Sequence, residues 1–170
     1  LADGNPRAAL RQLEALQRDS PFAADVWLER AEAALQVGRT DEARRSALRA
    51  VALAPVDATG CGRAALVLLQ LNDAVGAMPL LRCQMSFSDR AHEVLDLAHA
   101  VYADDGAILA DIVPSGGLYV RRYLGWAYER DHVDAAILGW DALGTYAPTS
   151  PERLRHIDFL VRHGAMDAAD

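Results

Sequence analysis

The sequence predicts an all-α chain, an α-solenoid in which antiparallel helix pairs follow one another. Three observations carry this expectation. Ala and Leu supply 33 and 23 of the 170 residues, and both favour helix. Thr and Ile occur four times each and aromatics make up 6%, too little β-forming material for a sandwich or barrel. Landmarks also recur at a step of 34: Gly4 falls on Gly38, Ala9 on Ala43, Pro21 on Pro55, and a further step brings Asn72 and Ala77 into register. A fixed period of this length marks an array of supersecondary units rather than one irregular globule.

Taken in order, residues 1–23 read as a trailing half-repeat, the end of one helix A and then a full helix B. Residues 24–57 form the first regular pair. Its helix B carries the apolar stripe Ala43, Ala47, Ala50 and Ala54 between Arg44, Arg45 and Arg49, which is a helical period and not a strand period. Ala31 and Ala43 are small where two antiparallel helices approach closely, and Trp27 fills the space where they splay. Gly38 suits the left-handed turn that ends helix A, Thr40 is placed to cap helix B, and Glu42 suits its positive N-terminus. Pro55 closes the unit.

Residues 58–91 form the second regular pair, with Cys61, Ala65 and Leu68 inward on one helix and Ala77 and Leu81 on the other. Residues 92–116 are a degenerate repeat. Its helix A, at about 90–104 with Leu95, Ala98 and Tyr102 inward, is followed by only two turns, Ala107–Val113, before Pro114-Ser115-Gly116-Gly117. The register resumes in 117–150 with Leu124, Ala127, Ala136, Trp140 and Leu143, closed by Pro148. Residues 151–170 read as a leading half-repeat with its turn at Gly164, and Met166–Asp170 as the first turn of a second helix. With Leu1 in place of a starting Met, both ends read as cuts in a longer protein.

The unit 24–57 places Trp27, Ala31, Ala34, Ala43, Ala47, Ala50 and Pro55 in a W-x3-small-x2-A…A-x3-A-x2-A-x4-P pattern. This resembles the tetratricopeptide repeat. The resemblance runs through residue 91 and again over 117–150. It implies a right-handed superhelix whose helix-A faces form a concave groove for a peptide or partner domain. Ala34 and Ala47 depart from the pattern, which usually carries aromatics there, so this unit is expected to be thin and tightly packed. The register puts Asp25, Leu28, Glu32 and Leu35 on the groove, then Gly62, Leu66 and Leu69, then Glu93, Asp96, Ala100 and Ala103, then Arg121, Gly125 and Tyr128. The candidate partner-binding residues are Asp25, Leu28, Glu32, Leu66, Asp96, Arg121 and Tyr128. Some members of the family hold a partner's C-terminal carboxylate with Lys and Asn on this face. All 17 cationic residues here are Arg and no Asn stands at these positions, so that clamp is not implied.

The rest of the sequence excludes more than it adds. A net charge of −7 and a pI near 5.1 argue against nucleic acid, whose phosphates need a basic face. Apolar runs are far shorter than the ~20 residues of a spanning helix. No catalytic signature appears: Ser115-Gly116-Gly117 lacks the G-x-S-x-G elbow, and no Lys serves a P-loop. Cys61 and Cys83 are too few for a disulfide framework and read as buried thiols, with a bridge between them as the alternative. His92, Asp96 and His99 share one helix face, but they lack a fourth ligand and a Cys. His99 is expected in the small-residue slot between helices, hydrogen-bonded to a neighbour, and no metal or cofactor is expected. Asp104-Asp105-Gly106 reads as a helix-ending turn and not a calcium loop. Seven of the eleven aromatics fall in 119–159, with Tyr119, Tyr123 and Trp126 spaced as a buried stripe. The absence of Lys, together with Ala richness, reads as a GC-rich coding bias.

These features favour a non-catalytic scaffold for a protein or peptide partner. The alternative is a ligand- or glycan-binding accessory module using the aromatic-rich stretch 107–146. An RNA-reading helical repeat would need 35-residue units and a basic groove. A spacer role would bring self-association through the cut repeat ends.

Overall fold

A computed structural model describes residues 5–165, and within them every regular element is helical. The repeat landmark at Gly4 and the expected turn over Met166–Asp170 lie outside the described residues. The chain forms two compact units that divide between Ser88 and Asp89.

The first unit contains α1 (Pro6–Asp19), α2 (Ala24–Gln36), α3 (Thr40–Leu53), α4 (Ala58–Gln70) and α5 (Ala74–Phe87). α1 starts where the Asn5 side chain accepts from the amides of Arg7 and Ala8 at 3.1 and 3.2 Å, with Pro6 in the first helical position, where its missing N–H costs nothing. α2 and α4 end alike. Gly38 (φ 78°) and Asn72 (φ 57°) are left-handed, and the next amide reaches back five residues, Arg39 to Ala34 and Asp73 to Leu68, both at 2.9 Å. This closure satisfies the last carbonyls and turns the chain back on itself. Thr40 does not cap α3. It is the first helical residue after Arg39, which offers no side-chain cap, because the tight turn at Gly38 leaves no room for a longer lead-in. Asp41 and Glu42 supply negative charge to the first turn instead.

α2 packs on α1, α3 and α4, and α4 packs on α3 and α5. Ala31, Ala34, Ala43 and Ala47 are completely buried, so methyl-sized side chains set the close spacing of α2 and α3. Trp27 stands at the edge and donates its indole N–H to the Pro21 carbonyl at 2.9 Å.

The cysteines require a correction: Cys61 and Cys83 form a disulfide that ties α4 to α5, with Cα atoms 6.0 Å apart. Each lies eleven residues from Asn72, the left-handed residue of the turn. Arms of equal length in an antiparallel hairpin bring the two side chains level.

The second unit contains α6 (Ala91–Tyr102), the single turn α7 (Asp105–Ala107), a π-helical turn (Ile108–Ile112), α8 (Gly117–Glu129), α9 (Val133–Gly144) and α10 (Ser150–Arg162). α6 ends at left-handed Ala103 (φ 49°), and the Asp104 side chain then accepts from the Ala107 amide at 3.0 Å. The expected two turns before Pro114 are therefore α7 and the π turn. Ile108 and Ile112 are fully buried, so the wider turn turns both side chains into the core. Gly116 (φ 126°) takes a conformation that side chains rarely adopt as it leads into α8.

α8 and α9 join at left-handed Asp131 (φ 56°), with the His132 amide bonded to the Ala127 carbonyl at 2.9 Å. They cross at Gly139, where a Cβ would sit 2.9 Å from the Tyr123 ring. Tyr123 and Trp126 of the expected stripe are fully buried, whereas Tyr119 is half-buried. α10 is opened by a capping box between Thr149 and Glu152. No helix of the described residues is long and apolar enough to cross a membrane.

Candidate functional site

The candidate residues lie in both units. In the first, Glu32 on α2 and Leu66 on α4 border a cavity of about 380 Å3 together with Leu35, Gln36, Arg63 and Gln70. Arg63 donates to both oxygens of Glu32, at 2.8 and 2.9 Å, a fork that holds the two helices in register. Hydrogen bonding to Glu32 raises the Arg63 pKa further. Leu66 and Leu35 form the apolar wall, and Gln36 and Gln70, one repeat apart, stand exposed at the rim.

Asp25 is exposed in the first turn of α2 and does not border this cavity. Leu28 is 1% exposed and belongs to the core. Because α2 packs against three helices, its exposed residues are Asp25 and Gln36, with Glu29 and Glu32 half-buried. Gly62 is also inside, where a Cβ would sit 2.7 Å from the Gln84 side chain.

In the second unit, Asp96 is spent on internal contacts. It accepts from the Trp126 indole at 2.8 Å and from Arg130 at 2.9 and 2.7 Å. Hydrogen bonding from Arg130 pulls its carboxyl down to about 2. The helix face of His92, Asp96 and His99 is thereby dispersed. His92 pairs with Glu129 at 3.1 Å, and His99 with Asp105 at 3.2 Å. His99 is half-buried in the interhelical slot, its ring 4.2 Å from that of His132 and 5.6 Å from Trp126. Among the described residues no three His, Cys, Asp or Glu side chains converge to hold a metal ion.

Arg121 and Tyr128, on α8, meet at one cavity of about 110 Å3, bordered also by Trp140, Leu143, Glu152 and Arg155. Leu124 and Gly125 complete it. Glu152 accepts from Arg121 Nε at 2.6 Å. Its second oxygen accepts from the amide and hydroxyl of Thr149, at 2.6 and 2.8 Å. The Arg121 contact, with those to Thr149, pulls the Glu152 carboxyl down to about 2. Behind the cavity, the Tyr128 hydroxyl lies 3.0 Å from His156 Nδ1, and Trp140 stacks on the imidazole at 4.4 Å with an 8° tilt. His156 is 3% exposed and its Nε2 has no partner among the described residues. Burial lowers its pKa, and burial pushes the Tyr128 hydroxyl up to about 12. Arg155 lies over the Tyr128 ring, 5.0 Å from its centroid.

Arg63, Gln36, Gln70, Glu152, Arg155 and His156 were outside the sequence-derived set. Two signals could have found some of them. Gln36 and Gln70 are one period apart, and Thr149-x-x-Glu152 is a capping box that pins Glu152 at the start of α10. Compared with known proteins, the chain matches no protein-family model and no curated protein.

Proposed function

We propose that the chain is a non-catalytic interaction module whose helix-A faces receive a peptide or a segment of a partner domain. The observation that carries this reading is that six of the positions the 34-residue register assigns to one face border cavities. Arg121, Gly125 and Tyr128 border one, and Glu32, Leu35 and Leu66 another. The proposed architecture is a right-handed superhelix of tetratricopeptide type. It is supported by α2 packing on both α3 and α4, and by α6 packing on α8. A stack of helix pairs makes such contacts between successive first helices.

A glycan- or ligand-binding module built on 107–146 has less exposed aromatic surface to use. Tyr123 and Trp126 are buried and Trp140 is stacked on His156.

Selection of a random-peptide display library against the chain tests the interaction reading. Enriched peptides should bind the Arg121→Ala/Tyr128→Ala or Glu32→Ala/Leu66→Ala variants at least tenfold more weakly, while circular dichroism shows unchanged helicity. No enrichment, or equal binding by both variants, overturns it.

A further inference from the structure

The cavity between α8, α9 and α10 has an imbalance of hydrogen-bonding capacity. Its one carboxylate is used up. Glu152 takes Arg121 Nε on one oxygen and two Thr149 donors on the other. Its two guanidiniums are not. A guanidinium carries five N–H donors in a planar fork, and only Nε of Arg121 finds an acceptor among the described residues. Arg155 makes no ion pair with them and rests over the Tyr128 ring. Counting Arg121, Arg155 and Glu152, the rim carries a net charge of +1, in a chain whose total is −7. The remaining walls are the Tyr128 and Trp140 rings, which pack on the buried Leu124 and Leu143.

We propose that this cavity binds a short carboxylate, the size of propionate or of a glutamate side chain, between the Arg121 and Arg155 guanidiniums, with its methylenes against the Tyr128 and Trp140 rings. Planar carboxylates match the guanidinium fork and make the stronger, charge-assisted class of hydrogen bond. The volume of about 110 Å3 admits a group of this size. Gly125 borders the cavity with its backbone alone, and the atom nearest to a Cβ built there is His92 Nε2 of α6, at 4.0 Å. The inference rests on the interaction reading only for the origin of the carboxylate, which is either a partner's acidic side chain or a free small acid.

Amide and arginine Nε–H resonances of the full chain, titrated with sodium propionate and with propionamide at matched ionic strength, test the chemistry. Saturable shifts at Gly125, Tyr128, Arg121 and Arg155 are expected with propionate alone. Arg155→Gln, at an exposed position, should weaken binding about tenfold, and Arg121→Gln/Arg155→Gln should abolish it while circular dichroism shows unchanged helicity. Equal response to propionate and propionamide, or propionate binding unchanged in either variant, overturns the proposal. N-acetyl-glutamate amide against its glutamine counterpart separates the sources. Selective binding of the glutamate form assigns the site to a partner's side chain. Binding of propionate alone assigns it to a free acid, with the interaction reading then judged by the peptide selection.

Discussion

Reducing the Cys61–Cys83 bridge offers a direct measure of what holds the first unit together. The crosslink closes a loop with a sequence separation of 22. Denying that loop its freedom in the unfolded chain is worth about 3 kcal/mol by the chain-entropy relation. For a unit of this size such a loss lowers the melting temperature by on the order of 15 °C. The two thiols left behind would remain at the α4–α5 contact, because Cys61 is completely buried, so the helix pair itself should persist at room temperature. Thermal unfolding followed by far-ultraviolet circular dichroism, with and without reductant, reads the effect. A Cys61→Ala/Cys83→Ala variant must reproduce the reduced curve and must not respond to reductant. A shift of under about 4 °C on reduction, with the bridge verified by mass spectrometry, would refute the reasoning. The unfolded chain would then already hold α4 against α5.

Three further outcomes follow from named contacts. Burial lowers the His156 pKa in the folded chain, whereas the unfolded chain protonates it near the ordinary value of about 6.5. The unfolded state therefore binds more protons below neutrality, and stability should fall as pH drops from about 7 toward 5. His156→Phe should flatten that slope in urea titrations run across the range, and an unchanged slope counts against the burial argument. Asp96→Ala leaves the fully buried Trp126 indole without its acceptor and should cost about 2 kcal/mol. Asp96→Asn keeps an acceptor oxygen there and should restore most of it, so equal losses would remove the indole from the explanation. Gly139→Val drives a side chain into Tyr123 and Leu124, whose atoms lie 2.9 and 3.0 Å from the Cβ position. It should destabilise the second unit by about 2 kcal/mol, and a neutral result in denaturant melts would mean that α8 and α9 can separate there freely.

Much of the helical layout was legible in the residues because its causes are local. Gly38 and Gly164 mark turns that the structure has, and Pro114 with Gly116 marks the interruption after α7. The inward Ala, Leu and Tyr123–Trp126 positions follow from helical spacing alone. What was not legible depends on the neighbours of each helix. Leu28 shares a stripe with Glu32, yet only Glu32 reaches the cavity, because three helices cover α2. Asp96 has the spacing of a surface residue, yet Trp126 and Arg130 of α8 and its end consume it. Thr40 has the chemistry of a cap and stands one residue too late.

By itself, then, the sequence determined the helical class, turns such as those at Gly38 and Gly164, and inward positions such as Ala31, Ala43, Ala98 and Leu143. Side-chain size, glycine freedom and period act over a few residues, so no partner helix is needed to read them. Only the tertiary structure decided that Cys61 and Cys83 pair across the hairpin at Asn72. It alone brought Arg121, Tyr128, Glu152 and Arg155 around one cavity, and turned Leu28 and Asp96 to internal use. Those outcomes depend on which donors and acceptors remain unspent after helices distant in sequence have packed, and that balance exists only in the folded chain.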